Sequence, residues 1–139
     1  MPYKLMVVDD DAGIAEVIAL VARSIGLDVR SVTNPFDVVD RYLDYRPDIL
    51  MLDMIMPGKD GIAVLHEVLR METPPRIIVT TGYSESYTRL AAGVAKFHAA
   101  TAPVVLTKPF RRAQLIDALT TVINVMPPSQ GTGLTPHAA

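Results

Sequence analysis

Asp48-Ile49-Leu50-Met51-Leu52-Asp53 (DILMLD, residues 48–53) is a short apolar run with a carboxylate at each end. Four consecutive large apolar residues leave no polar face, so the run reads as a central parallel strand buried on both sides. Asp53 then stands at the strand's C-terminal end, the edge where open α/β sheets carry their sites. Outward from it, three more runs have the same form. Leu5 to Val8 ends in Asp9, Asp10 and Asp11; Ile77 to Val79 ends in Thr80, Thr81 and Gly82; Val104 to Leu106 is soon followed by Lys108. Leu27, Val29 and Val32 add a fifth, partly alternating strand.

Helical spacing fills the gaps between these strands. Ile14, Val17, Ile18, Val21 and Ile25 mark a first helix, with Asp11 as its cap and Gly26 as its stop. Asn34-Pro35 opens a second helix with Phe36, Val39 and Leu43 on one face. Asp60 caps a third that carries Ile62, Leu65, Val68 and Leu69. Residues 85–100 are helical but weakly amphipathic, with Leu90, Ala91, Val94 and Phe97 as a modest packing face. Leu115, Ile116, Leu119, Val122 and Ile123 pattern the last helix. Strand and helix in strict alternation predict an α/β domain, a doubly wound five-stranded parallel sheet with helices on both faces. It should occupy residues 1–126, and 127–139 (PPSQGTGLTPHAA), without periodicity, read as a flexible tail.

Composition removes several functions. Net charge is -2, and the 13 Lys and Arg residues form no dense stripe, so no nucleic-acid footprint is present. Without cysteine there is no disulfide, thiolate catalysis or thiolate metal site. No apolar run is long enough to cross a bilayer, and the acidic N-terminal stretch is no signal peptide. The expectation is a cytoplasmic protein that binds neither membrane nor nucleic acid.

The strand order expected of this fold brings Asp9, Asp10 and Asp53 together. Clustered carboxylates repel and raise one another's pKa unless a cation joins them. An all-oxygen cluster without His or Cys suits a hard divalent ion such as Mg²⁺. Lys108 adds a mobile positive charge and Thr81 a hydroxyl at two further strand ends. Together these are the parts of phosphoryl transfer: cations screen the charge while a carboxylate attacks phosphorus. Asp53, being central, is the candidate nucleophile, with Asp9 and Asp10 as metal holders.

From the Asp9-Asp10 pair through LDMIMPGKDG (residues 52–61) to Thr81-Gly82 and Lys108-Pro109-Phe110, the chain resembles the receiver domain of two-component response regulators. Five separated elements match in order over residues 3–125, and the resemblance is to the single-domain, flavodoxin-like type. It implies that Asp53 accepts a phosphoryl group from a sensor histidine kinase or a histidine phosphotransfer protein. Asp10, Asp53 and the Ile55 backbone carbonyl would bind Mg²⁺ directly, and Asp9 largely through water. Thr81 would hydrogen-bond the phosphoryl group and Lys108 would pair with it. The resemblance also implies a non-enzymatic signalling or relay role, an unknown downstream protein, and a cis Lys108-Pro109 bond; homodimerisation through the last two helices is open.

Two features depart from that pattern. Val105 stands three residues before Lys108, where many receivers carry a Tyr or Phe whose ring moves on activation. The segment between Thr81 and Lys108 is longer than the compact pattern and includes GVAKFHAATA (residues 93–102), where Gly93 and small residues would let a helix fray. Ile55 and Tyr83 flank the expected phosphoryl position. Phe110 reads as packing, and His66, His98 and His137 share no spacing that would make a site.

Three other readings compete. A haloacid-dehalogenase-like phosphatase would need a second aspartate at position 55, where Ile55 stands. A non-phosphorylated interaction module would have lost an acidic residue, Thr81 or Lys108. A fragment of a transcription regulator or of a hybrid histidine kinase would keep all of them.

Overall fold

A computed structural model describes residues 2–82 and 85–126. Tyr83, His137 and the expected tail at 127–139 lie outside the described residues. Five strands alternate with five α-helices: β1 (Lys4–Val8), α1 (Ala12–Ser24), β2 (Asp28–Val32), α2 (Val38–Tyr45), β3 (Ile49–Asp53), α3 (Gly61–Leu69), β4 (Arg76–Thr81), α4 (Glu85–Phe97), β5 (Val104–Thr107) and α5 (Arg112–Asn124). A single 3₁₀ turn, Pro35–Asp37, leads into α2. The strands form one parallel sheet in the order β2-β1-β3-β4-β5.

Side chains alternate across this sheet and both faces are covered, which is why its central strands read as continuous apolar runs. Leu5, Val7, Ile49 and Met51 face α1 and α5, where they meet Ile18, Ala22, Leu115 and Leu119. Met6, Val8, Leu50 and Leu52 face the other side, against Tyr42, Leu65, Val68 and Ala91 of α2, α3 and α4. Chain order reverses between β1 and β3, with Val8 beside Leu52. The residue after β1 and the last residue of β3 therefore flank the switch point, where such sheets open a crevice.

Local signals explain the helix ends. Asp11 caps α1, its Oδ1 accepting from the Gly13 and Ile14 amides at 2.9 and 3.1 Å. Gly26 stops it at φ +95°, a left-handed conformation that costs glycine little. Asp60 caps α3 by accepting from the Ala63 amide at 3.0 Å.

Helix faces are where the sequence reading needs correction. On α2 the buried residues are Val38, Tyr42 and Tyr45, whereas Phe36 and Leu43 are exposed. Tyr42 buries its ring and donates its hydroxyl to the Thr73 carbonyl at 2.8 Å; burial foremost pushes its pKa up to about 12. Apolarity alone undervalues a tyrosine that satisfies its hydroxyl in this way. On α4 the packing face is Ala91, Val94 and Ala95, while Leu90 and Phe97 are exposed. Val17 of α1 is exposed too, the buried stripe being Ala15, Ile18, Ala19 and Ala22. Small residues let α1 and α4 lie close to the sheet, which leaves the larger ones at the rim.

Candidate acidic site

Asp9 and Asp53 are held at the switch point almost out of solvent, at 1% and 6% exposure. That is an unusual place for two carboxylates. Asp10 beside them is exposed. Ligand oxygens of Asp9, Asp10 and Asp53 all lie within 4.8 Å of one another. Lys108, reaching over from the β5–α5 connection, joins them: its Nζ donates to Asp9 Oδ2 at 2.8 Å and to Asp53 Oδ2 at 3.3 Å. The remaining oxygens are tied to the backbone. Asp9 Oδ1 accepts from the Asp11 amide at 2.9 Å, and Asp53 Oδ1 from the Ile55 amide at 3.1 Å.

Thr81 ends β4 and is buried beside Thr107 of β5 in the sheet register. Its carbonyl accepts from the Lys108 amide at 2.7 Å, so the strand end bearing Thr81 also fixes the start of the lysine's loop. Lys108-Pro109 is cis, and Phe110 packs, half-buried, against the α1–α5 core. Ile55 is half-exposed at the lip of the site. Behind it the loop after Asp53 is tightly built. The Gly61 amide donates to the Met54 carbonyl at 3.0 Å. A Cβ on Gly61 would come within 2.6 Å of Met54 Cα. Gly58, at φ +85°, passes under the exposed Phe36 ring. Lys59 lies over the same ring at 5.6 Å and pairs with Glu67.

Electrostatics follow from this burial. Loss of water raises the Asp53 pKa above its ordinary value, and the Asp9 charge adds to the rise. The Ile55 amide and Lys108 work against it without cancelling it. For Lys108 burial acts in the opposite sense, but its bonds to Asp9 and Asp53 outweigh it and the net shift is upward. The lysine is thus a fixed cation, while the carboxylates remain short of positive charge. Three carboxylates with no nitrogen or sulfur donor among them fit a hard divalent cation.

All the expected site residues therefore meet at one edge: Asp9, Asp10, Asp53, Ile55, Thr81 and Lys108. What sequence reasoning missed is the preference of Lys108 for Asp9, which depends on atomic reach. It also missed a cleft of about 670 Å³ that opens beside Lys108, lined by Asp11, Ile14, Val17, Pro109 and Phe110 among others. Val17, which the helical spacing counted among the apolar residues of α1, lines this cleft and is more than half exposed. A further correction concerns the histidines. His66 Nδ1 and His98 Nε2 meet at 2.9 Å, although no sequence spacing connects them.

This arrangement of sheet, switch-point carboxylates and lysine is that of a receiver, and the family model for the response regulator receiver domain matches residues 5–120. The chain belongs to that family. Solved structures agree on the receiver fold. The Vibrio cholerae chemotaxis protein CheY4 superposes with a TM-score of 0.77 at 20% identity, over 88% of this chain and 99% of that one. A response regulator receiver domain protein from Clostridium thermocellum gives 0.73 at 23% identity, over 88% and 94%. NtrX from Brucella abortus gives 0.73 at 22% identity over 88% of this chain, which spans only 27% of that protein. Receivers of this family are signalling modules rather than classical enzymes, and the Asp9, Asp10 and Asp53 cluster is typical of their phosphoacceptor and divalent-metal site. Among the described residues no helix is long and apolar enough to cross a membrane.

Proposed function

We propose that this receiver takes a phosphoryl group onto Asp53 from the phosphohistidine of a sensor kinase or phosphotransfer protein in the cytoplasm. The observation that carries the reading is the Lys108 ammonium bonded to both Asp9 and Asp53 inside a buried carboxylate cluster. In the transfer an Asp53 oxygen forms a bond to phosphorus, the P–N bond of the donor breaks, and the released imidazole takes up a proton. Asp53 suits the nucleophile's role because it is central and its second oxygen is held by the Ile55 amide. Lys108 would follow the charge from the carboxylate to the phosphoryl oxygens, and the Thr81 hydroxyl would hydrogen-bond one of them. Asp10, Asp53 and the Ile55 carbonyl would hold Mg²⁺, with Asp9 acting largely through water. The ion would neutralise charge on the phosphoryl oxygens and on the acids beside them.

The donor must approach over the same edge. The cleft beside Lys108 and the exposed Val17 that lines it support docking there, since they offer apolar area next to the acceptor. The functional unit is taken as residues 1–126. The output side lacks the usual ring: Val105 is partly exposed on β5, and valine has no large rotamer exchange to make. A relay of phosphate, or a readout by the loop after Thr81, suits this chain better than an aromatic switch.

Intact mass after incubation with a small phosphodonor checks the reading. A gain of one phosphoryl group that requires Mg²⁺ and is missing in Asp53→Asn is expected. No gain, under conditions that label a known receiver, would make the domain a constitutive binding module.

A further inference from the structure

Outside the acidic cluster, two metal-ligating side chains, His66 and His98, come face to face. His66 lies on α3 and His98 follows the end of α4. Their rings meet edge to face, with centroids 5.2 Å apart at 69°. Phe97 packs edge-on against both, at 6.2 and 5.1 Å. Backbone bonds fix the approach. The His98 amide donates to the Val94 carbonyl at 3.1 Å, Ala99 turns the chain at φ +54°, and the Ala100 amide closes on the Ala95 carbonyl at 2.8 Å. His66 also lines a shallow cleft of about 600 Å³ along α4, with Arg89, Leu90 and Phe97, so solvent and ions reach its side of the pair.

Two facing imidazole nitrogens cannot both carry a proton, nor can both present a bare lone pair without repulsion. The contact is satisfied by one shared proton or by one cation that takes both lone pairs. We propose that His66 and His98 form a chelating site for a borderline divalent d-block cation of the zinc class, distinct from the acidic cluster. Zinc–nitrogen bonds of about 2.0–2.1 Å at a tetrahedral angle put two imidazole nitrogens roughly 3.3 Å apart. The nitrogens need to part by a few tenths of an ångström from the 2.9 Å they show, and the rings must turn so that both lone pairs converge on the ion. Imidazole selects zinc, copper and nickel, whereas magnesium prefers carboxylate and water, so the two sites discriminate by ligand chemistry.

The Arg70 charge, felt at His98, opposes a cation, but Arg70 is exposed and solvent screens it. Among the described residues no third His, Cys, Asp or Glu completes a group of three with this pair. Water must fill the other positions, so the ion is exchangeable and tethers the end of α4 to α3 rather than building the fold. The site does not depend on the phosphoacceptor chemistry.

Zinc titration of the full chain in excess Mg²⁺, followed through the imidazole ¹⁵N resonances, tests this. One equivalent should shift His66 Nδ1 and His98 Nε2 together, with His137 unmoved. Affinity should fall about tenfold or more in His66→Gln and in His98→Gln, and should persist in Asp53→Asn. Wild-type ring signals that stay at their metal-free positions would mean a hydrogen-bonded pair only, and would overturn the proposal whether or not the variants fold. Zinc lost to excess Mg²⁺ or to Asp53→Asn, or carried by His137, would overturn it equally.

Discussion

Asp53 carries its charge at a cost, and that cost sets a pH dependence. Its pKa is raised in the fold, mainly by burial, so as pH climbs the unfolded chain gives up this proton before the native state does. The contribution to stability is complete below the ordinary aspartate range and is lost as pH rises through the raised value. An asparagine in its place would have no such charge to bury. Metal-free Asp53→Asn should therefore melt higher than wild type at pH 7, by about 2–5 °C, with the gap closing in acid; thermal melts in chelator across pH check this. Lys108 behaves in the opposite way at neutral pH. Lys108→Met would leave the nearly buried Asp9 and Asp53 side chains without their cation. It should cost about 2–3 kcal/mol in chelator, below the range for a fully buried pair because the lysine is one-fifth exposed. Mg²⁺ should return part of that loss in urea unfolding. These residues were legible because each follows an apolar strand. The Lys108–Asp9 bond was not, since only side-chain reach across the β1 and β5 ends decides it.

Elements were legible in proportion to how completely they are buried. β3 is buried at every position, and its sequence can mean little else. Helix faces were harder. On α2 the sequence pointed to Phe36 and Leu43 where Val38, Tyr42 and Tyr45 are buried, because a short polar helix gives few positions from which to fix a phase. The meeting of His66 with His98 depends on how α3 packs against α4, which no local pattern encodes. Two glycines separate packing from propensity at this scale. Gly61→Ala would press a methyl group to 2.6 Å from Met54 Cα and 2.8 Å from the Asp53 carbonyl. It should destabilise by about 1–3 kcal/mol and slow phosphorylation by disturbing the acceptor strand. At Gly93, inside α4, the same change meets nothing within 4 Å. Gly93→Ala should stabilise by up to about 1 kcal/mol. Urea titration of the two variants gives the comparison, and a stabilised Gly61→Ala would refute the close packing.

At the scale of the whole molecule the parallel sheet gathers residues far apart in sequence at one edge. Asp9, Asp53, Thr81 and Lys108 come from four strand ends, yet Lys108 bonds both Asp9 and Asp53. This convergence was the most legible property of the chain, because strand order alone produces it. A cation that binds only the folded cluster must stabilise the fold by mass action. Mg²⁺ should raise the wild-type melting temperature progressively with concentration and leave a variant lacking both Asp10 and Asp53 almost unmoved. The central claim is that Asp53 is the acceptor. Borohydride reduction of the phosphorylated protein converts an aspartyl phosphate to homoserine, and peptide mapping by mass spectrometry then reads its position. Homoserine at position 53 alone is the predicted result; homoserine at position 9 or 10, or none in protein shown to carry phosphate, would contradict the account.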